Sequence, residues 1–139
     1  DKLQREAVKT KQITLPSGRQ YAFPSARWTE WGTATNRTAI CNYPVQGFAT
    51  ADLLPTALVR LSKMMRVRKL NSVICNTVHD SIVLDVHPDE KDACIKLLEY
   101  AMLSLPTESV NRYGIEYDMP VGIELKIGKN WLDTEVVNL

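Results

Sequence analysis

The chain has 139 residues, of which 45% are apolar and 24% are charged. This balance is typical of one globular domain with a single core, and it excludes fibrous, disordered and disulfide-scaffold classes. Because no apolar run approaches the ~20 residues of a membrane span and the N-terminus has no signal-peptide region, we expect a soluble intracellular protein. Three cysteines without a CxxC spacing predict free thiols in a reducing compartment.

The net charge of +1 hides a strong asymmetry along the chain. Residues 1–70 carry twelve Lys or Arg against four Asp or Glu, which gives +8, whereas residues 71–139 carry five against twelve, which gives −7. This division favours a surface for a polyanion in the first half. The alternative, that the charges scatter over one folded surface, stays open because halves of a sequence need not be halves of a structure.

The first half predicts a hairpin, an irregular excursion and a helix. Residues 12–24 are predicted as a β-hairpin, because β-rich runs flank the Pro-Ser-Gly turn at 16–18. Residues 25–38 are predicted to be irregular. Across 47–70 the apolar residues recur at alternating spacings of three and four, which predicts an amphipathic helix. Pro55 should kink this helix or begin a second segment, because it has no backbone N–H.

The second half has the predicted order β-β-α-β. Strands are predicted at 73–78 and 82–86, joined by a tight turn, followed by a helix at 89–105. Residues 106–120 are predicted to be irregular, and 121–127 alternate like a strand with one wet face. This order is typical of the α+β class, in which helices pack on one face of an antiparallel sheet that we expect to hold all three strands.

The His-Asp-Ser turn at 79–81 is the most informative place in the sequence. The Asp80 carboxylate, on a short turn between two stiff strands, would be held in the fixed direction that a hard cation such as Mg²⁺ requires. The alternative is that aspartate and serine are simply good turn formers. A Zn²⁺ site made of Cys75, His79 and His87 is a third option, although these residues lack a recognised ligand spacing.

Two amide side chains, Asn42 and Gln46, straddle a proline directly before the predicted helix. Amides donate to and accept from base edges, so both residues are candidates for contacts with nucleic acid. Read without context, Asn42 would instead be a helix N-cap and Gln46 a first-turn residue. The helix ends in five cations, more than its dipole requires, and Lys63 and Arg66 are our candidates for phosphate contacts. The five are Arg60, Lys63, Arg66, Arg68 and Lys69.

Six motifs follow one another between residues 18 and 131, and together they mark a stretch of roughly residues 13–133. They are GRQYAFP (18–24), YPVQG (43–47), ATAD (49–52), VHD (78–80), VGIELKI (121–127) and GKNW (128–131). Each motif alone is weak, but the ordered set resembles the C-terminal palm of family A (Pol I-like) DNA polymerases, most closely the bacteriophage members. The resemblance implies a protein of the cytoplasm of a bacterial or phage-infected cell.

The resemblance also implies a role for individual positions. Asp80 would be the carboxylate that binds the catalytic Mg²⁺ ions, and His79 would lie near the primer terminus. Asn42 and Gln46 would reach the minor groove of primer-template DNA, where acceptor positions common to all base pairs report correct pairing without reading sequence. Arg37 would contact the nucleic-acid backbone.

Three positions depart from the family's pattern. Ser81 stands where the family usually has Glu. Thr38 stands where the family commonly has Arg, and the nearest cation is Arg37, one residue earlier. Pro55 is unusual in the corresponding helix.

The sequence supplies half of an active site. Nucleotidyl transfer with two metals needs carboxylates for both ions, and the family's second catalytic aspartate and its nucleotide-binding fingers helix have no match here. Asp85 would lie about 16 Å from Asp80 along a strand, and Asp52 falls where the family has an aspartate that is not a metal ligand. We therefore expect the chain alone to be inactive and another chain or domain to supply the rest. Its start at Asp1 rather than Met fits a fragment or a processed product.

We interpret the chain as one domain, the C-terminal part of a polymerase palm. It would comprise a hairpin with an irregular segment (1–41), a duplex-contacting helix (42–70) and a β-β-α-β palm core (71–139). Its function would be template-directed DNA synthesis from deoxynucleoside triphosphates on primer-template DNA. A non-catalytic module for duplex binding or assembly is the alternative. An unrelated metal hydrolase that uses His79 and Asp80 is a third option, which lacks further ligands.

Overall fold

The computed structural model describes residues 2–116 and 121–137. Its helices are α1 (Lys2–Thr10), α2 (Arg37–Gln46), α3 (Leu54–Val67), α4 (Lys91–Leu103) and α5 (Leu105–Tyr113). Its strands are β1 (Gln12–Thr14), β2 (Gln20–Ala22), β3 (Val73–Val78), β4 (Ser81–Asp85), β5 (Lys126–Gly128) and β6 (Thr134–Val136). The predicted α+β class with antiparallel strands is confirmed. Among the helices described, none is long and apolar enough to cross a membrane.

The predicted N-terminal hairpin is confirmed by β1 and β2, which pair antiparallel with Ile13 opposite Tyr21. Its turn contains Gly18 at φ 86°, a left-handed conformation that glycine adopts without a Cβ clash. Ile13 is buried in a cluster with Ala7 of α1 and Ile40 of α2. The hairpin is thereby fixed against two helices.

The predicted long helix begins earlier than the sequence indicates and is interrupted. α2 starts at Arg37, inside the segment predicted to be irregular. A π-helical stretch, Gly47–Leu53, then joins α2 to α3. Pro55 lies in the first turn of α3, where a missing N–H costs little, and so begins a second segment as predicted.

Tertiary packing explains why α2 forms although Pro44 lies inside it. Ile40 has no exposed surface and shares a core cluster with Phe23. The Tyr43 ring centroid lies 5.6 Å from that of Tyr21 and 6.0 Å from that of Phe23. Burying a large apolar side chain contributes about 1.5–3 kcal/mol, so the burial of Ile40, together with the ring contacts of the half-exposed Tyr43, offsets much of the roughly 3 kcal/mol cost of an internal proline.

A polar cluster, which we call the Asp52 clamp (Ser17, Arg19 and Asp52), joins the N-terminal hairpin to the π-helical stretch. Arg19 donates to Asp52 Oδ1 through Nε at 3.1 Å and through Nη2 at 2.9 Å, and Ser17 donates to Oδ2 at 2.6 Å. Arg19 Nη2 also donates to the carbonyl of Ala51 at 3.2 Å. This is the carbonyl that an α-helical N–H at Pro55 would bond, so the clamp satisfies a group that the proline leaves open.

The second predicted hairpin is confirmed by β3 and β4. The register shifts between Ile74 and Asn76, so Cys75 forms a β-bulge, which increases the local twist of the hairpin. One face of the hairpin packs on α3 and α4. The residues of this core are Leu61, Met65, Leu97 and Ala101, with Ile74, Ile82 and Leu84 packed against them.

Glu90, directly before α4, fixes the base of this hairpin. Its carboxylate accepts hydrogen bonds from Asn71, at 2.9 Å from the backbone N–H and 3.1 Å from Nδ2. It also accepts from Ser72, at 2.9 Å from the backbone N–H and 2.6 Å from the hydroxyl. These donors, the Asn71 backbone above all, stabilise the anion and lower the pKa of Glu90 to about 2.

The predicted helix at 89–105 is confirmed by α4 and the 3₁₀ turn before it. The predicted irregular segment at 106–120 is wrong in its first part, because α5 occupies it. Pro106 lies in the first turn of α5, where proline is tolerated, and Gly114 at φ 66° ends the helix. Residues 117–120 of this prediction lie outside the described residues.

The predicted third strand at 121–127 is wrong in its extent and its partner. β5 begins only at Lys126 and pairs with β6, not with β3 or β4. Within residues 2–116 and 121–137 the strands form three two-stranded sheets, so the expected single three-stranded sheet is not formed there. The alternation still predicted the buried face correctly, since Leu125 is buried between exposed charged neighbours. Alternation of apolar and polar residues shows which face of a strand is buried, but it does not show which strand is its pairing partner.

Candidate catalytic and nucleic-acid-binding site

The turn between β3 and β4 presents His79 and Asp80 at an exposed tip. Val78 pairs with Ser81, so His79 and Asp80 form the whole loop. His79 has φ 54°, in the left-handed region that two-residue hairpin turns use to match the twist of their strands. The Ser81 hydroxyl donates to the carbonyl of Val78 at 2.8 Å and closes the turn. Backbone geometry and this hydrogen bond therefore define the turn that carries Asp80.

Asp85 does not share a cation with Asp80. It pairs with Val73 at the opposite end of the hairpin, whereas Ser81 begins β4 next to the tip. Asp85 lies four residue steps along the strand from Ser81, about 13 Å at the usual rise. Of these two aspartates, only Asp80 lies at the tip of the hairpin.

The zinc option is wrong. Cys75 lies at the bulge of β3, where its thiol donates to the carbonyl of Val83 at 3.4 Å. His87 lies beyond the other end of the hairpin, and its Nδ1 accepts from the backbone N–H of Asp89 at 3.4 Å. In the part of the chain that the structure describes, no three His, Cys, Asp or Glu side chains come together as a metal site.

Asp52, the other acidic candidate, is engaged in the clamp. Its side chain is only 7% exposed, and both of its oxygens accept hydrogen bonds, from Arg19 and from Ser17. A cation at this carboxylate would lie beside the like-charged guanidinium of Arg19, which already donates two hydrogen bonds to Oδ1. Asp52 therefore has a structural role, in agreement with what the resemblance implies.

Asn42 and Gln46 are exposed on one face of α2. They are four residues apart, so their side chains lie one helical turn from each other. The alternative reading of Asn42 as an N-cap is wrong, because α2 begins at Arg37 and its N-cap is Asn36 at φ 62°. Arg37 is also exposed, at the start of the same helix. α2 thus combines a cation with two side chains that can both donate and accept.

The basic end of α3 divides into two groups. Lys63 and Arg66 are exposed and three residues apart, so they share one side of the helix. Arg60 instead forms an ion pair with Glu108 of α5 and donates to the hydroxyl of Tyr100 at 2.8 Å. The sequence groups all of these cations together, and only the non-local partners separate Arg60 from the others.

Two contacts that position the site were not predicted. The Asp52 clamp fixes the π-helical stretch that follows Gln46, and Glu90 fixes the base of the hairpin that carries Asp80. The 18–24 motif contains Arg19 but gives no indication of a partner 33 residues away. The 18–24 motif was the available signal in the sequence. It draws attention to Arg19 but does not identify Asp52 as its partner.

A family model for DNA polymerase family A matches residues 1–133, so the chain belongs to this family. It is 34% identical to DNA polymerase I of Lactococcus lactis over 99 residues, which are 71% of this chain and 10% of that protein. It is 35% identical to the DNA polymerase of Bacillus phage SP01 over 96 residues, which are 66% of this chain and 10% of that protein. The chain therefore spans about a tenth of the length of the curated relatives it matches.

The fold is similar to part of a solved polymerase. The POL domain of Pol1 from M. smegmatis, solved in complex with DNA primer-template and dNTP, matches with a TM-score of 0.63. The match covers 75% of this chain and 18% of that chain at 24% identity. This likeness supports the fold of the chain.

Proposed function

We propose that the chain is the C-terminal part of the palm of a family A DNA polymerase and supplies Asp80 to the catalytic centre for template-directed DNA synthesis. The observation that carries the proposal is the two-residue turn at the end of β3, which presents this carboxylate at an exposed tip in a chain of the polymerase family. His79, its neighbour in the turn, is assigned to the primer terminus. A phage-type polymerase acting in the cytoplasm is the setting that fits this reading.

Asp80, at the tip of the β3–β4 hairpin, could be one of the protein ligands of a magnesium ion. Mg²⁺ usually takes one or two protein carboxylates and completes its octahedral shell with water and phosphate oxygens. A single carboxylate is therefore a sufficient contribution from this chain. When bound, the two ions of such a centre would stabilise the charge of the attacking and leaving oxygens. The task of Asp80 is to hold its ion at a fixed place relative to the primer.

The exposed face of α2 and the basic side of α3 are proposed to hold the primer-template. Asn42 and Gln46 would read minor-groove acceptors, which sense pairing rather than sequence. Arg37, Lys63 and Arg66 would neutralise phosphates, which positions the duplex and supplies most of the affinity.

The remaining parts of the polymerase are proposed to lie outside this sequence. They would supply the fingers, which bind the deoxynucleoside triphosphate, and the second catalytic aspartate. In the division proposed, residues 1–41 support the duplex-contacting helix at 42–70, and residues 71–139 form the palm core.

A chimera tests the catalytic role. This chain replaces the matching segment of the Lactococcus lactis DNA polymerase I, and Mg²⁺-dependent primer extension is measured. Asp80→Asn should slow extension at least about 100-fold, because the neutral amide no longer stabilises the ion on which the transition state depends. Asp85→Asn is the matched control, since this aspartate lies on the same hairpin at the far end, and it should leave the rate unchanged. Equal rates for the two variants would contradict the proposal.

The isolated chain gives a second measurement. Mn²⁺, a paramagnetic substitute for Mg²⁺, should broaden the amide NMR signals around Asp80 and spare those around Asp85. The Asp80→Asn variant should abolish the effect. Broadening centred elsewhere in both proteins would count against Asp80 as the ligand.

Salt dependence tests the duplex surface. Each phosphate neutralised contributes about 0.9 to the slope of log affinity against log salt, so replacing Lys63 and Arg66 with Ala should reduce the slope by up to about 1.8. Replacing Lys91 and Lys96 of α4, both exposed in the acidic half, is the control and should not change it. Gln46→Ala should keep the slope and weaken discrimination against a mispaired primer end. A double variant with the slope of the unmodified chain would remove Lys63 and Arg66 from the interface.

A further inference from the structure

The segment 28–34, predicted to be irregular, is a small ordered hairpin with a tryptophan at its tip. Trp28 and Ala34 form an antiparallel bridge. Inside it, Thr29 and Thr33 bond through the Thr29 N–H and hydroxyl, both at 2.9 Å from the Thr33 carbonyl. Trp31 lies at the turn and is 82% exposed. We call this segment the tryptophan hairpin.

The tryptophan hairpin has a rigid base. The backbone N–H of Ala34 donates to Oε1 of the buried Gln4 at 2.9 Å. Below it, the Thr35 N–H donates to the Arg27 carbonyl at 2.9 Å, and the Arg27 N–H donates to the Thr35 hydroxyl at 3.1 Å. Because the base is fixed to α1, the tip holds a large apolar ring in water without a local core to cover it.

The surface beside the hairpin is basic. A shallow cleft of about 500 Å³ at its base is lined by Lys11 and Arg27 together with neutral residues that include Ser25, Thr35 and Asn36. Its lining contains two cations and no carboxylate. The nearest acidic group in sequence is Glu30, exposed on the hairpin itself. An anion in this cleft would meet complementary charge and hydroxyl donors.

An exposed ring next to a cationic groove is the combination that single-stranded nucleic acid requires. Unpaired bases stack on aromatic rings because every base has an accessible face, and the adjacent phosphates need cations. A base inside a duplex has both faces covered by its neighbours and cannot stack on Trp31. The chemistry therefore favours an unpaired strand over a duplex.

We infer that the tryptophan hairpin binds the unpaired template strand, with Trp31 stacking on a base and Arg27 and Lys11 contacting phosphates. This inference rests on the proposed function, because α2 begins three residues after the hairpin and would contact the duplex through Gln46. Gln46 lies nine residue steps along the helix from Arg37, about 13 Å, or roughly four nucleotide steps. A strand that leaves the duplex along α2 therefore reaches the hairpin.

Fluorescence anisotropy with labelled DNA tests the inference on the full chain. Trp31→Ala should weaken binding of a 20-nucleotide oligo(dT) at least about fivefold, the loss expected for one stacked base, and should change binding of a blunt duplex less than twofold. Trp31→Tyr should restore part of the loss. Arg27→Ala should lower the salt slope for oligo(dT) by about 0.7, the contribution of one phosphate in a single strand.

Trp131 provides the matched control. It is 63% exposed in the loop between β5 and β6, but its neighbours include Asp133 and Glu135. Trp131→Ala should bind both DNAs like the unmodified chain and should keep the quenching of tryptophan emission by oligo(dT), most of which Trp31→Ala should lose.

Three results of these binding measurements would contradict the inference, and they can be told apart. Unchanged oligo(dT) binding by Trp31→Ala, with duplex binding intact, overturns the inference and leaves the proposed function standing. Equal losses for both DNAs also overturn it, because Trp31 would then act on the fold or on the duplex. If the folded, unmodified chain binds neither DNA at low salt, the inference and the proposed duplex surface both fail.

Discussion

Replacing Asp52 with Asn tests the contact that joins the N-terminal hairpin to the helices. Asn has the shape of Asp but no charge, and it puts an NH₂ group where one carboxylate oxygen accepts a hydrogen bond. Either Arg19 or Ser17 then faces a donor instead of an acceptor, and the guanidinium loses its counter-charge. We expect the variant to fold with reduced stability.

The magnitude follows from the exposure of the two partners. Breaking a fully buried ion pair costs about 3–5 kcal/mol, and losing one hydrogen bond to a charged group costs about 1.5–3 kcal/mol. The Asp52 side chain is 7% exposed, but that of Arg19 is 43% exposed and can be hydrated again. The loss of unfolding free energy in Asp52→Asn should therefore lie in the range for one hydrogen bond to a charged group, at about 2 kcal/mol.

Urea unfolding followed by circular dichroism measures this cost. With an m value of about 1.5 kcal/mol/M, the midpoint should fall by about 1.3 M while the slope stays unchanged. Asp85→Asn, at an exposed aspartate, should stay within about 0.5 kcal/mol of the unmodified chain. A double-mutant cycle with Arg19→Met should show a coupling of at least about 1 kcal/mol. An unchanged midpoint for Asp52→Asn, or strict additivity in the cycle, would refute the reasoning.

Three further predictions concern the β3–β4 hairpin and its support. Leu61→Ala should lower the free energy of unfolding by about 3–5 kcal/mol in urea titrations, because Leu61 has no exposed surface and its loss leaves a cavity beneath the hairpin. Glu90 has its pKa lowered to about 2 by Asn71 and Ser72, so its contribution is full above the ordinary value near 4.5 and is lost as the pH falls toward 2. Glu90→Gln should therefore be less stable at neutral pH and should lose part of the acid dependence between pH 4.5 and 2, which unfolding curves at several pH values would detect. Ser81→Ala should destabilise by about 0.5–1.5 kcal/mol and increase amide exchange at the turn, since it removes the hydrogen bond to the Val78 carbonyl; unaltered exchange would show that the backbone alone fixes the tip.

Short-range pattern determined the two hairpins. β1–β2 and β3–β4 each combine a β-rich run, a turn and a second run, and all of that information lies within about 13 residues. The position of Asp80 at a turn could be predicted from the same signal. Its roles, and those of His79, Asn42 and Gln46, come from the resemblance and stay predictions until the variants are measured.

Long-range contacts decided what the pattern could not. α2 was missed because Pro44 is typical of a helix break, yet Ile40 is buried in the core cluster with Phe23, and the Tyr43 ring contacts Phe23 from the surface. These contacts stabilise the helix in spite of the proline. The sequence counts Arg60 among five cations at the end of the helix, and only its ion pair with Glu108, 48 residues away, sets it apart from Lys63 and Arg66.

The alternation at 121–127 separates most directly what the local sequence pattern predicts from what long-range contacts decide. The alternation alone predicts that Leu125 faces inward, because successive side chains of an extended segment point to opposite sides whatever its neighbour is. Only the tertiary structure decided that β5 pairs with β6 rather than with the hairpin that carries Asp80, and that the Val137 N–H bonds to the Leu125 carbonyl at 2.8 Å. Backbone N–H and C=O groups are the same in every residue except proline, so side-chain patterns carry little information about which strand those groups will meet.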